Sequence, residues 1–173
     1  MGEIYSRVAD PDWDDPLDKD LSFATGGRWN APGTFPVLYL NETLGAARAN
    51  VSMRFAEQRG LGITLDMLDP WGLPVLVEVL VSPGTAVDLT SDGGLAGVGL
   101  PMSYPLDASE EQVDHACCRP VGAAAHVAQH QGIRARCAAP GAGRDVLELA
   151  WFRDNGGSVE LTGKPRSFRD WFP

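Results

Sequence analysis

The stretch TGGRWNAPGTFPVLYL, residues 25–40, decides the fold because it joins a glycine-rich turn to an apolar segment. Its second half, residues 35–40, is short, rich in β-forming residues and bounded by turn residues, which predicts a buried strand. Asn41 or Thr43 then caps a predicted helix that ends at Gly60. A loop, a strand and a helix therefore follow one another directly, and side chains from them can face one cleft.

Several residues of this stretch suit ligand binding. Gly26 and Gly27 permit backbone conformations and a close approach that a side chain would prevent. Arg28 offers a planar set of donors for a phosphate or carboxylate, and Tyr39 offers an aromatic face and a hydroxyl. Together they match a nucleotide that contains a pyrophosphate. A structural motif explains them equally well, with Trp29 as a core anchor and Arg28 paired to an aspartate.

The composition is that of one folded domain spanning residues 1–173, with 44% hydrophobic and 21% charged residues. A net charge of -9 with only 14 Lys and Arg argues against direct nucleic-acid binding. No apolar run approaches the roughly 18 residues of a membrane span, and the first residues do not resemble a secretory signal. We therefore expect a cytoplasmic protein that does not bind membranes.

The cysteines and histidines do not predict a metal site. Three cysteines form no disulfide framework. Cys117 and Cys118 are adjacent, so on a helix they point about 100° apart, and no Cys-x2-Cys pair accompanies His115 or His126. Cys137 lies in a predicted strand and is interpreted as a buried, inert thiol.

The middle of the chain predicts a strand and a loop. The nearly continuous apolar run Leu73–Gly84 is typical of a strand, and Glu78 lies in its centre. An edge-facing or ion-paired Glu78 is favoured over a catalytic one. Ser91–Pro105 is glycine-rich but has neither a Walker nor a dinucleotide-binding pattern, which indicates an irregular, mobile loop.

The last third mixes helix and strand signals. Two helical pieces are predicted, broken near Pro120, and the second ends at Gly132. Two strands joined by a Pro-Gly turn follow, and then a short late strand; their sequences are GIRARCAA, RDVLELAWF and SVELTG. Because strands and helices do not alternate strictly, we predict an α+β fold with a mixed or antiparallel sheet and flanking helices.

The order of these signals resembles the RES domain family. GGRWN followed by PG, then VLYL, then a helix containing Ala47, and much later GIRARCAA carry the resemblance, which extends from about Tyr5 to Phe152. Characterised members of that family are NAD-consuming toxins of toxin–antitoxin modules, with a fold related to ADP-ribosyltransferases and usually an Xre-type antitoxin as partner. The resemblance implies the same fold, NAD as ligand and an antitoxin partner.

Carried over by position, the resemblance implies a catalytic site with two substitutions. The family arginine and tyrosine fall on Arg28 and Tyr39. The family glutamate falls on Asn50, eleven residues after Tyr39, and the family serine falls on Cys137. Asn50 is expected at the margin of the apolar stripe of its helix, where it can face a cleft. The residues predicted to contact NAD are Gly26, Gly27, Arg28 and Tyr39.

The two substitutions leave two functions open. Cleavage of the nicotinamide–ribose bond builds positive charge on the sugar, and losing one electrostatic group typically lowers the rate by ~10²–10³. Asn50 is uncharged, and a thiol at Cys137 is a weak hydrogen-bonding group. The chain is therefore an NAD-cleaving enzyme of reduced or altered activity, or an inactive module that binds a nucleotide or protein. Glu78 is a carboxylate that could replace the family glutamate, which is Asn50 in this chain. A homodimer is compatible with the sequence.

Overall fold

The computed structural model describes residues 2–62, 67 and 72–173, except for the side chains of 57–59. In these residues one mixed sheet has seven strands in the order β4-β5-β6-β2-β1-β3-β7. Their bounds are β1 Glu3–Ala9, β2 Val37–Asn41, β3 Val75–Val81, β4 Ala86–Leu89, β5 Gly132–Arg136, β6 Leu147–Phe152 and β7 Val159–Arg166. Only β4 and β5 run parallel among the paired strands.

Five α-helices accompany the sheet in the same part of the chain. They are α1 Asp20–Thr25, α2 Leu44–Gly60, α3 Asp92–Gly97, α4 His115–Val127 and α5 Phe168–Trp171. None of the helices described is long and apolar enough to cross a membrane. The predicted α+β class is confirmed, since helices and strands mix without forming a repeated parallel unit.

The elements around the opening stretch follow the sequence prediction. β2 is the buried strand predicted over residues 35–40, displaced by about two residues because Phe35 packs into the core ahead of the first ladder pair. Thr43 caps α2 by accepting a hydrogen bond from the Ala46 amide at 3.2 Å, and the helix ends at Gly60 as predicted. β5 and β6 form the predicted antiparallel pair. β1 and β4 are strands that the sequence analysis does not predict.

The sheet curls between β1 and β2. Their ladder contains one pair, Ser6 opposite Asn41, whereas β1 pairs with β3 over seven positions. One buried cluster combines strand residues from both sides of this junction with Leu17; its strand members are Tyr5, Leu38, Leu40, Val77, Val79, Val81, Leu149 and Trp151. Because they are almost fully buried without helical cover in that cluster, the two halves of the sheet bury this face against each other.

The opposite face of the sheet packs against the helices. Helices α2 and α5 pack over β1 and β3 through one buried cluster. This cluster contains Ala47, Val51 and Phe55, which confirms the predicted apolar stripe of α2. Over β2, β4, β5 and β6, a larger cluster is built around Trp29 and residues of α3 and α4. The helical layer is thus divided into two parts, and the junction of β1 and β2 lies between them.

The prediction of an irregular loop over Ser91–Pro105 is wrong for its first part, where Asp92–Gly97 form α3. Ser91 caps α3 by accepting a hydrogen bond from the Gly94 amide, and Leu95 and Tyr104 are fully buried. Arg136 fixes the segment from beneath with bonds to the Thr90, Met102 and Tyr104 carbonyls and to the Asp92 carboxylate, the last at 2.6 Å. The glycines in this segment indicate a loop, whereas contacts with a residue distant in the sequence, Arg136, hold the segment in place.

Two further predictions need correction. Pro120 does not break α4, which runs through it from His115 to Val127 and ends well before Gly132. Its buried residues Cys118, Gly122 and Ala125 lie on both sides of the proline, so packing outweighs the one lost backbone bond. Glu78 is exposed on β3, which lies between β1 and β7, and it does not line the cavity described below.

Candidate functional site

A cavity of about 560 Å³ opens where β1 and β2 separate. Its walls come from both strands, from α2 and from the loop that follows α1. Arg28, Tyr39 and Asn50 all line it, together with Gly26 and Gly27. The structure therefore brings the sequence-predicted residues of the opening stretch and Asn50 to one place. Their function there stays a prediction.

Arg28 is held in the cavity wall by neutral groups. Its Nη1 donates to the Val113 carbonyl at 2.8 Å, and its Nη2 lies 3.5 Å from Gln112 Oε1. The guanidinium also lies over the Tyr104 ring, 6.0 Å from the ring centre. Among the described residues no carboxylate lies within ion-pair distance of it. The alternative of an Arg28–aspartate pair is therefore wrong for the described residues, and the positive charge is available to a ligand.

Tyr39 presents its ring to the cavity while its hydroxyl is bonded inside the protein. The hydroxyl accepts from the Trp29 amide at 3.0 Å and donates to Asn30 Oδ1 at 2.9 Å. Asn30 is fully buried and also donates to the Ser22 and Phe35 carbonyls. Burial raises the pKa of the Tyr39 phenol above its ordinary value. Tyr39 therefore offers a ligand an aromatic surface, and its phenol stays protonated at neutral pH.

The two glycines are required by their protein neighbours. A Cβ on Gly27 would lie 2.3 Å from the Tyr39 hydroxyl, so a side chain there displaces the tyrosine. Gly26 has φ +70°, and a Cβ on it would lie 2.7 Å from the Pro32 ring. These contacts explain both glycines without a ligand. Their predicted contact with NAD therefore rests on their place in the cavity wall alone.

The remaining predicted residue, Cys137, lies beneath the cavity. It is 1% exposed, directly after β5, and its Sγ lies 3.8 Å from Asn50 Nδ2. Asn50 is itself positioned by a 2.8 Å bond to Asn41 Oδ1 at the end of β2. Burial raises the pKa of the Cys137 thiol to about 11, and nearby Glu148 adds to this. Cys137 is therefore an uncharged thiol that supports Asn50, as the buried-thiol interpretation predicts.

Glu148 is a cavity residue that the sequence analysis missed. It lies on β6, opposite Asn41 on one side and Ala135 on the other. Its carboxylate interacts with the backbone of Ala138 and the side chain of Cys137, and both favour its ionised form. Burial raises its pKa to about 7, against the opposing effects of Arg28, Ala138 and Cys137. The available signal was a single acidic residue at alternate spacing in the apolar run LELAWF.

Three other basic side chains, Arg7, Arg54 and His115, line the cavity without having been predicted there. Arg7 on β1 is 8% exposed; its Nη2 donates to the Asp18 carbonyl at 2.7 Å, while its Nη1 has no partner in the described structure. His115 begins α4, and burial together with Arg28 and Arg119 lowers its pKa. In the described residues no group of histidine, cysteine and acidic side chains is arranged to hold a metal.

Trp29 connects this site to the core. Its side chain is fully buried against Tyr104, and its carbonyl rests on α4, where a Cβ on Gly122 would lie 1.7 Å from the carbonyl oxygen. Trp29 and Asn30 are thus architectural residues. They place Arg28 and Tyr39 on one wall.

The sheet with its short β1–β2 ladder and the arginine-lined cavity beside that ladder define an α+β domain. The chain belongs to the RES domain family, whose model matches residues 4–167. The family prediction from the sequence is therefore confirmed. No curated protein matches the chain.

A solved structure supports the same fold. The chain is similar to a chain in the crystal structure of the M. tuberculosis MbcT-MbcA toxin–antitoxin complex, with a TM-score of 0.74. The sequence identity is 22%, and the match covers 99% of this chain and 87% of that one. At this identity the likeness concerns the fold.

Proposed function

We propose that this protein binds NAD in the cavity between β1 and β2 and cleaves it at the nicotinamide–ribose bond. The observation that carries the proposal is the convergence of Arg28, Tyr39 and Asn50 in one cavity. Its volume of about 560 Å³ falls within the roughly 300–1,000 Å³ usual for small-molecule and cofactor sites.

The charges in the cavity suit the dianionic centre of a dinucleotide. Arg28 and Arg7 both line it, and neither is in an ion pair among the described residues. In the proposal, Arg28 binds the pyrophosphate, Tyr39 offers its ring to the nicotinamide half, and Asn50 hydrogen-bonds the ribose. Cys137 acts through Asn50, because it lies beneath the cavity.

A second function is supported by the amide at position 50. Asn50 cannot provide the negative charge that cleavage of the glycosidic bond demands. A catalytically inactive module that binds NAD or a related nucleotide would need only the cavity and its cations. Measurement of binding and of turnover on the same preparation separates these two functions.

The test combines calorimetry with NAD and an assay of nicotinamide release. Arg28→Ala removes a charge-assisted contact, so we expect NAD binding to weaken about 10- to 100-fold. The matched control is Arg169→Ala, which removes an exposed arginine after the start of α5. Binding with turnover supports the enzyme, and binding without turnover supports the module. Absence of binding by the unaltered chain contradicts both.

We also propose that the protein is the toxin of a toxin–antitoxin pair. The support is its membership of the RES domain family and the structural neighbour from a toxin–antitoxin complex. The expected partner is a protein encoded beside this chain. Co-expression should give a stable complex that releases less nicotinamide than the free chain, and failure of the two proteins to copurify would contradict the pairing.

A further inference from the structure

Glu148 is the one carboxylate among the described residues that line the cavity. Its position follows from the β-ladder, because register places it beside Asn41 on β2 and Ala135 on β5. Asn41, the residue paired with Glu148, accepts a hydrogen bond from Asn50 Nδ2 at 2.8 Å, so the register also brings Glu148 towards Asn50. The cavity therefore contains a carboxylate as well as cations.

Cys137 places this carboxylate beside Asn50. Asn50 Nδ2 lies 3.8 Å from the Cys137 Sγ, and the Glu148 carboxylate acts electrostatically on the same thiol. Asn50 comes from α2 and Glu148 from β6, so two different elements converge on one point of the cavity. A group bound near the Asn50 amide is thus also near the Glu148 carboxylate.

We propose that Glu148 is the catalytic carboxylate of the site and compensates for the uncharged Asn50. This inference rests on the proposed NAD cleavage. As the C1′–N bond breaks, its electron pair stays on the nicotinamide nitrogen, and positive charge develops at the ribose. Glu148 stabilises that charge electrostatically. The oxygen of a water molecule then bonds to C1′, and its proton passes to Glu148 and on to solvent, leaving ADP-ribose, nicotinamide and one proton.

The surroundings allow Glu148 to act both as an anion and as a proton acceptor near neutral pH. Burial raises its pKa to about 7, which is close to the operating pH where a general base is most effective. Arg28 is the nearby cation that favours its ionised form. The other titratable groups that interact with it are Tyr39, Tyr104, Cys118 and Cys137, from β2, the segment after α3, α4 and the segment after β5.

The test compares nicotinamide release by the unaltered chain, Glu148→Gln and the double variant Asn50→Glu/Glu148→Gln, with NAD binding measured for each. Glu148→Gln keeps the size of the side chain and one acceptor oxygen while removing the charge. We expect kcat to fall about 100-fold with little change in the Kd for NAD. The double variant returns a carboxylate to the other side of Cys137 and should regain part of the lost rate.

The pH profile distinguishes catalysis from a structural role. The kcat/KM of the unaltered chain should rise with pH through a midpoint near 7, and Glu148→Gln should lack this rise. Glu78→Gln, which removes an exposed carboxylate of the same sheet, is the control and should keep the profile. Thermal unfolding of each variant shows that the fold is retained.

Each outcome supports or overturns the proposal. If the unaltered chain releases nicotinamide and Glu148→Gln stays within threefold of it, Glu148 is not catalytic, while the proposed NAD cleavage stands. If the unaltered chain binds NAD without turnover, the binding module is supported and a catalytic Glu148 is ruled out. If it does not bind NAD, the proposed function fails first, and the role of Glu148 fails with it.

Discussion

Replacement of Glu148 by glutamine should make the protein more stable in alkaline solution. Burial raises the carboxyl pKa from 4.5 to about 7, so the folded state resists an ionisation that the unfolded state permits. With about 1.4 kcal/mol for each unit of pKa difference, the cost is roughly 3 kcal/mol above pH 7 and vanishes below about pH 4. Between about pH 4 and pH 7 the unfolded chain binds fewer protons at Glu148 than the folded chain does. The contribution of Glu148 to the free energy of unfolding therefore falls as the pH rises.

Urea unfolding at pH 5 and pH 8.5 measures the effect. The free energy of unfolding of Glu148→Gln minus that of the unaltered chain should increase by about 2.5 kcal/mol between these pH values. Taking this difference removes any pH-independent cost of the substitution. Glu78→Gln is the matched control from the same sheet. Parallel stability curves for Glu148→Gln and the unaltered chain would refute the reasoning, because Glu148 would then titrate alike in the folded and unfolded states.

Three further substitutions test the architecture and the charge of the site. Gly27→Ala should destabilise the protein by roughly 3 kcal/mol in urea unfolding, since it displaces the buried Tyr39 hydroxyl; an unchanged midpoint would contradict this. Gly122→Ala should cost about as much by pushing α4 off the Trp29 carbonyl, whereas the control Gly97→Ala, with open space, should cost nothing. Asn50→Glu should move the pH midpoint of nicotinamide release above 7, because a second carboxylate beside Cys137 opposes ionisation of Glu148; an unmoved midpoint argues that the two side chains do not interact.

Local sequence patterns are sufficient to predict the half of the site whose residues lie close together in the sequence. The turn before residue 35, the β-rich run and the helix that follows are each specified by nearby residues, and helical spacing alone placed Asn50 at the edge of the cleft. The hairpin of β5 and β6 was likewise predicted from its turn and its apolar runs.

The other half of the site depends on contacts between distant segments. Glu148 reaches the cavity only because β6 lies beside β2, more than a hundred residues earlier in the chain, and no local pattern states that pairing. The same is true of Arg7, since β1 was not predicted at all. Pro120 and the glycines after Ser91 are residues that usually interrupt helices, but tertiary packing keeps both segments helical.

The single backbone pair between β1 and β2 makes this junction the weakest hydrogen-bonded part of the sheet. Ser6 and Asn41 are the one rung that joins two separate hydrogen-bonded ladders. Because this ladder contains a single pair, amide exchange there should be faster than in the interior of the longer ladders on either side. Substitutions beside this pair can therefore alter the shape of the crevice while the longer ladders on both sides are kept.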